Sequence, residues 1–380
     1  MSDTPQITLP ASLLPEDGRF GCGPSRIRPA QVDALTAAGS TFLGTSHRQA
    51  PVKNMVGRIR EALGTLFRLP DGYEIILGDG GATAFWNAAA FGLVSRRAQA
   101  VTCGEFSSKF AKAVTTPWLE TPSVLEAPVG SRRAAEAQPG IDVYAWPHNE
   151  TSTGVSSPIR RVAGADPDAL IVIDGTSAAG GIDFSADELD VYYFSPQKNF
   201  ASEGGLWLAA VSPRAIERIE TIAGSDRYIP EFLNLRTALT NSRLNQTLNT
   251  PSLSTLLLLD EQLQWMLGNG GLSWADARTH ESSGLLYSWA ESDSRVRPFV
   301  ENPEHRSPVV VTIDFDDSLN AAAVAAILRA HGVVDVEPYR KLGRNQLRIG
   351  TFVAVEPSDV EKLIACIQWI LDHAGDAILR

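Results

Sequence analysis

Only three cysteines occur among the 380 residues, Cys22, Cys103 and Cys366, an odd number set far apart. Their spacing suits neither a disulfide framework nor a zinc site, so no resident metal is expected and a reducing cytoplasm is the expected home. No apolar run approaches the roughly 20 residues of a membrane-spanning helix; the four leucines at 256–259 fall far short. Positive charge is scarce too. Thirty-three Lys and Arg face 44 Asp and Glu, a formal net charge of −11, which argues against nucleic acid as a main partner. An acidic chain that handles anions must gather its basic residues locally. The first eighteen residues, MSDTPQITLPASLLPEDG, carry neither a basic leader nor an apolar core, so no secretory signal is expected there.

What is present is globular: 44% hydrophobic and 20% charged residues, over a length that suits two domains. The GNGG break at 268–271 divides a large domain, 26–270, from a small one, 271–380, with 1–25 as an N-terminal segment. Val52, Met55, Val56, Ile59, Leu63, Leu66 and Phe67 recur at helical spacing and predict a helix over 51–69. A strand over 73–77, the loop GDGGAT at 78–83 and a helix over 84–94 follow. The apolar runs at 169–173, 191–194 and 206–211 read as strands buried on both faces, the mark of a mostly parallel sheet covered by helices. Beyond 271 the pattern is helix, strand 309–315, helix 320–331, strand 346–352, helix. That last helix has Ser358 as its expected N-cap, Glu361 three residues on, one stripe through Val360, Leu363, Ile364, Ile367, Ile370 and Leu371, and Gly375 as its stop. The expected fold is α/β, with a smaller C-terminal α+β domain.

Chemistry concentrates at strand ends. Lys198, in SPQKNFASEGG, follows the apolar run 191–194 and precedes a glycine pair. A lysine there faces the crevice where α/β proteins bind ligands, and partial desolvation lowers its pKa and frees the amine to attack an aldehyde. Asp174, 24 residues earlier, ends its own buried strand, where an acid can pair with the protonated pyridine nitrogen of pyridoxal 5′-phosphate. Singly, a turn lysine and a turn acid are ordinary; their pairing points to that cofactor. Gly80 and Gly81 permit close approach of a phosphate, with Ala82 and Thr83 opening a helix. Asn249-Thr250-Pro251 reads as a second helix start, Thr250 as cap and Pro251 at the first helical position. Phe106 stands at a strand end where it can stack on a ring or simply fill the core. His47, Arg48 and Arg348 are candidates for substrate anions, Arg348 because it interrupts an apolar strand. Arg340, Lys341 and Arg344 form a basic cluster, or a solvated loop.

Together these segments resemble the phosphoserine aminotransferases, of the class V group within fold-type I pyridoxal-phosphate enzymes. The resemblance runs through GCGPSRIRP, TSHRQAP at 45–51, GDGGATAFWN at 78–87, HNETSTGV at 148–155, VIDGTSAAGG at 172–181, SPQKNFASEGG at 195–205, LNTPS at 248–252 and QLRIGTF at 346–352. It implies the fold-type I architecture with a seven-stranded-type sheet. It also implies a homodimer with shared active sites and a ping-pong transfer from L-glutamate to 3-phosphohydroxypyruvate in serine synthesis. A role in vitamin B6 synthesis stays open. Lys198 is the implied Schiff-base lysine and proton carrier, Asp174 the partner of the pyridine nitrogen, Phe106 the ring stacker and Thr151 the partner of the 3-hydroxyl. Ala82, Thr83 and Gln197 are implied at the phosphate, with Asn249 and Thr250 reaching from the second subunit. Arg348 is implied at the α-carboxylate, and Arg48, beside His47, at the distal anion. Phe106 and Ala82 depart from the tryptophan and arginine of better-known members, and the usual His-Arg pair of the small domain is replaced near Arg340 and Lys341. An alanine–glyoxylate-type transaminase, a cysteine desulfurase-like lyase and a non-catalytic nucleotide-binding protein are the rival readings.

Overall fold

The computed structural model of the chain describes residues 7–380; residues 1–6 of the expected N-terminal segment lie outside the described residues. The first part of the chain contains β1 (Glu74–Asp79), β2 (Ala98–Thr102), β3 (Ser123–Glu126), β4 (Val143–Pro147), the two-residue β5 (Asn149–Glu150) and β6 (Val155–Ser156), β7 (Leu170–Asp174), β8 (Val191–Phe194) and β9 (Leu206–Val211). β5 and β6 pair only with each other. The remaining seven form one sheet in the order β1-β9-β8-β7-β4-β2-β3, parallel except for the reversed β9. Around it run α1 (Pro29–Ala38), α2 (Ala50–Leu66), α3 (Gly81–Gly92), α4 (Glu105–Ala113), α5 (Pro213–Ala223), α6 (Leu235–Arg243) and α7 (Leu253–Gly268).

Strand periodicity sorts the side chains between two helix layers. Tyr192 and Phe194 of β8 join a core with Val52, Ile59 and Leu63 of α2 and Leu256 and Leu263 of α7. Val191 and Tyr193 point the other way, into a core with Phe85 and Ala89 of α3, Ile219 of α5 and Leu239 of α6. Such a sheet has no solvent face, which is why its strands read as continuous apolar runs. β8 and β9 fall on their predicted residues, and β7 is displaced by one.

Beyond α8 (Gly271–Ser292) lies an antiparallel sheet, β10 (Val296–Pro298), β11 (Val310–Phe315) and β12 (Gln346–Gly350), with α9 (Ala321–Ala330) and α10 (Pro357–His373). The short β10 is an addition to the predicted pattern. The N-terminal segment joins this unit: Leu9 and Phe20 are buried in its core, Val334 N donates to Gly18 O (2.8 Å) and Gly350 N to Phe20 O (2.8 Å). α8 serves both cores, with Leu272 and Ala275 in the first and Leu286 and Trp289 in the second. No helix of the described residues is long and apolar enough to cross a membrane.

Two predicted caps are corrected. α7 begins at Leu253, and Ser252 Oγ, not Thr250, accepts its first-turn N–H from Thr255. The Thr250 hydroxyl is engaged with His47 Nδ1 at 3.2 Å, and Pro251 precedes the helix. α10 begins at Pro357 with Glu356 at the N-cap, which leaves Ser358 inside the first turn. Proline at the first helical position fixes φ and removes an N–H that has no partner there anyway, so it outweighs the serine cap. Gly375 stops the helix as predicted: it directly follows the C-cap, Ala374, at φ +50°.

Candidate active site

β7 and β8 are adjacent and parallel, so the residues at their carboxyl ends reach the same rim of the sheet. Asp174 and Lys198 line one cavity of about 210 Å³, together with Ala82, Thr83, Phe106, Thr151 and Gln197. Seven predicted residues therefore meet at a single place.

The loop after β8 is pinned from several sides. Ser25 N donates to Gln197 O (2.8 Å) and Ser25 Oγ to Lys198 O (2.6 Å). Asn199 Nδ2 donates to Ser177 O (3.0 Å), and Gln262 Nε2 to Asn199 O (3.1 Å). Lys198 is 8% exposed, and its Nζ donates to Cys22 O at 2.5 Å. Burial pushes the amine down to about 8, the nearby Arg348 adds to that, and Asp174 opposes it. A side chain at residue 23 would place its Cβ 1.8 Å from Nζ, so Gly23, at φ +132°, leaves the lysine its room. Asp174 is also buried; desolvation raises its pKa, while hydrogen bonds, including Thr176 N to Oδ1 at 2.8 Å, pull it back. A buried acid in this state gains from a cationic partner.

Also at the cavity, Gly80 adopts φ +102° as the N-cap of α3, so the helix opens at Gly81 rather than at Ala84. Ala82 and Thr83 thus lie in the first turn, where backbone N–H groups lack intrahelical partners and favour an anion. Four side-chain atoms at the cavity are buried without a hydrogen-bond partner: Trp86 Nε1, Asn149 Oδ1, Thr176 Oγ1 and Gln197 Oε1. Buried polar atoms cost free energy when unpaired, so four at one cavity mark a polar ligand's place. An aldehyde-reactive amine, a buried acid, an aromatic ring and a helix N-terminus together fit pyridoxal phosphate.

The class-V aminotransferase family model matches residues 30–336. A protein of Mycolicibacterium vanbaalenii is 60% identical over 368 residues, 97% of this chain and 99% of its own length. A Nocardioides sp. protein named phosphoserine aminotransferase is 57% identical over 372 residues, 97% of this chain and all (100%) of its own. The chain belongs to the class-V aminotransferases. In fold it is similar to a phosphoserine aminotransferase structure from Cytophaga hutchinsonii (TM-score 0.86, 24% identity, 94% of this chain and 100% of that one). A second such structure, from Bacillus circulans subsp. alkalophilus, gives a TM-score of 0.81 at 20% identity, over 95% of this chain and 99% of that one.

Within this class-V fold the remaining predicted residues stand outside the cavity. Arg348, on β12, donates to Thr151 O (3.0 Å), lies 5.4 Å from the Tyr339 ring centre and leaves a buried Nε unpaired. It is therefore adjacent, with one donor free. Lys341 is drawn aside into an ion pair with Glu105, Arg344 pairs with Asp314, and Arg340 is exposed. His47, Arg48, Asn249 and Thr250 form a separate surface cluster: Arg48 donates to Gln246 Oε1 and to Leu248 O (3.4 Å), and Thr250 meets His47. The chain by itself does not bring that cluster to the cavity. Sequence reasoning missed Trp86, Asn149, Thr176 and Ser177, which also line it. For Asn149 the signal was its place in the polar run HNETST, whose residues His148 to Thr153 prove to be all buried; Trp86, Thr176 and Ser177 carried no such mark in the sequence.

Proposed function

We propose that the chain is a phosphoserine aminotransferase that reversibly transfers the amino group of L-glutamate to 3-phosphohydroxypyruvate, yielding O-phospho-L-serine and 2-oxoglutarate for serine synthesis. The observation that carries the reading is the shared cavity of Lys198 and Asp174, which the α3 N-terminus also lines. The name of the 57% identical Nocardioides relative supports the substrate assignment.

Pyridoxal phosphate, when bound, supplies an aldehyde for the amine and a protonated ring that withdraws electrons from the substrate α-carbon. Lys198 would be the catalytic residue: its amine would anchor the cofactor through the aldehyde and serve as the base that moves the proton at the substrate α-carbon. Its depressed pKa, about 8, keeps part of the amine population neutral near physiological pH. Asp174 holds the ring nitrogen in its protonated form. Phe106 stacks on one ring face, and Thr151 meets the 3-hydroxyl. The N–H groups of Ala82 and Thr83, with the side-chain amide N–H of Gln197, hold the phosphate.

Arg348 takes the substrate α-carboxylate on its unpaired Nε. Arg48 and His47, carried in from a partner subunit with the rest of their surface cluster, receive the distal carboxylate or phosphate together with Arg340 and with Lys341 once it leaves Glu105. Asn249 and Thr250 complete the phosphate site of a partner subunit in a homodimer, consistent with their exposure in one chain. Residues 26–270 act as the large domain and 271–380 as the small one, with Leu9 and Phe20 of the N-terminal segment packed into the small one. The cytoplasm is the assigned compartment. The lyase reading needs a reactive thiol; instead burial raises the pKa of Cys22 and Cys103, and that of Cys366 to about 11.

A steady-state comparison of amino acceptors with glutamate as donor tests the assignment. 3-Phosphohydroxypyruvate is expected to exceed pyruvate and glyoxylate in kcat/KM by at least about 100-fold, the worth of a multiply hydrogen-bonded phosphate. Equal or better turnover of pyruvate or glyoxylate refutes it.

A further inference from the structure

Glu150 is 0% exposed, and no basic side chain pairs with it among the described residues. Five donors satisfy it instead. Oε1 accepts from Phe106 N (3.2 Å), Ser152 N (3.3 Å) and Ser152 Oγ (2.6 Å); Oε2 accepts from Ser107 N (2.9 Å) and Ser107 Oγ (2.8 Å). Both oxygens act only as acceptors, the pattern of an ionised carboxylate.

Three of those donors belong to the first turn of α4 and two to Ser152. α4 begins after Gly104, which brings no side chain to cap the helix. Its first three N–H groups are capped from elsewhere: Glu105 N by Ser152 Oγ (3.0 Å), then Phe106 N and Ser107 N by Glu150. A negative group against a helix N-terminus also meets the positive end of the dipole. Gly104 is what permits the approach, because a Cβ there would lie 2.5 Å from Glu150 Cγ and from Ser152 Oγ. Thr151, at the turn after β5, sits between these two capping residues. One buried carboxylate thus ties together the two residues proposed to touch the ring, Phe106 through its own N–H and Thr151 through the chain.

We infer that Glu150 is a positioning residue: through the first turn of α4 it fixes Phe106 over the cofactor ring. The inference rests on the cofactor reading above. Loss of the charge slackens the turn and lets the Phe106 ring leave its stacking position, while the phosphate and amine sites stay in place.

The test is a double-mutant cycle on cofactor binding, read as the Kd of cofactor-stripped protein for pyridoxal phosphate by absorbance titration, and by visible circular dichroism of the loaded protein. Glu150→Gln and Phe106→Ala are each expected to raise Kd about 10-fold and to diminish the visible dichroism, as removal of a charge-assisted hydrogen bond or a stacked ring does. Together they are expected to cost no more than about 10-fold, because the second change finds nothing left to position. Should Glu150→Gln fail to fold, Ser107→Ala removes one donor and is expected to raise Kd about 3-fold in the wild-type background and not at all in Phe106→Ala. Multiplying effects, or an unchanged dichroism in Glu150→Gln, overturn the inference. Wild-type protein that takes up no pyridoxal phosphate overturns the cofactor reading itself, a result distinct from either.

Discussion

At the scale of single residues, Lys198 carries the strongest expectations. Replacing Lys198 by Ala removes both the anchor and the proton carrier, so turnover is expected to fall by at least about 10⁴-fold in a steady-state assay. Its pKa, lowered by burial to about 8, sets a pH dependence. Only the neutral amine attacks an aldehyde, so the rate of cofactor uptake by stripped protein is expected to rise with pH, with a midpoint near 8, in stopped-flow absorbance. The same depression has a stability consequence. Between about 8 and the ordinary 10.5 the unfolded amine still binds a proton that the folded one has lost. Stability of the stripped protein therefore gains from this group as pH rises through that window, and the full penalty applies below it. Lys198→Met is expected to be the more stable protein at pH 7, by on the order of 3 kcal/mol in denaturant titration, and to lose that advantage above about pH 10.5.

Asp174 was legible as the first polar side chain after the apolar run 169–173, and Lys198 as the first charged one after the run 191–194. Glu150 was not. In the run HNETSTGV it resembles a surface acid, and its burial is imposed by α4, which is distant in sequence.

At the scale of elements, periodicity located what is uniformly buried and misplaced what depends on one hydrogen bond. α2 matches its stripe, with Val52, Met55, Val56, Ile59, Leu63 and Leu66 all buried. β4 was overlooked because its residues VYAWP mix aromatics with a proline, and nothing local separates them from a loop; parallel pairing with β2 and β7 makes them a strand. The start of α7 turned on competition between neighbouring hydroxyls. Ser252→Ala is expected to destabilise the protein by about 1 kcal/mol in thermal or urea unfolding, through loss of the α7 cap. Thr250→Ala, whose hydroxyl faces His47 rather than the helix, is expected to change stability by less than about 0.5 kcal/mol. The reverse order restores the cap to Thr250.

At the scale of the whole molecule, the surface cluster of His47, Arg48, Asn249 and Thr250 is where a single chain looks incomplete. If two chains share their sites, inactive Lys198→Ala subunits still carry an intact cluster, and Asn249→Ala/Thr250→Ala subunits still carry an intact lysine. Subunit exchange between the two is expected to raise activity above the weighted mean of the parents, because each mixed dimer contains one complete site. Activity equal to that mean places the cluster outside the partner's cavity. The large sheet and its helices were evident in the sequence as a class; which chain completes which site was not, because a single chain contains no signal of its neighbour.

The most direct measurement is chemical trapping. Protein loaded with pyridoxal phosphate is reduced with borohydride, digested and mapped by mass spectrometry. One stable phosphopyridoxyl adduct per chain is expected, on the peptide containing Lys198. An adduct on another lysine, or none, contradicts the assignment of that residue and with it the cavity as an active site.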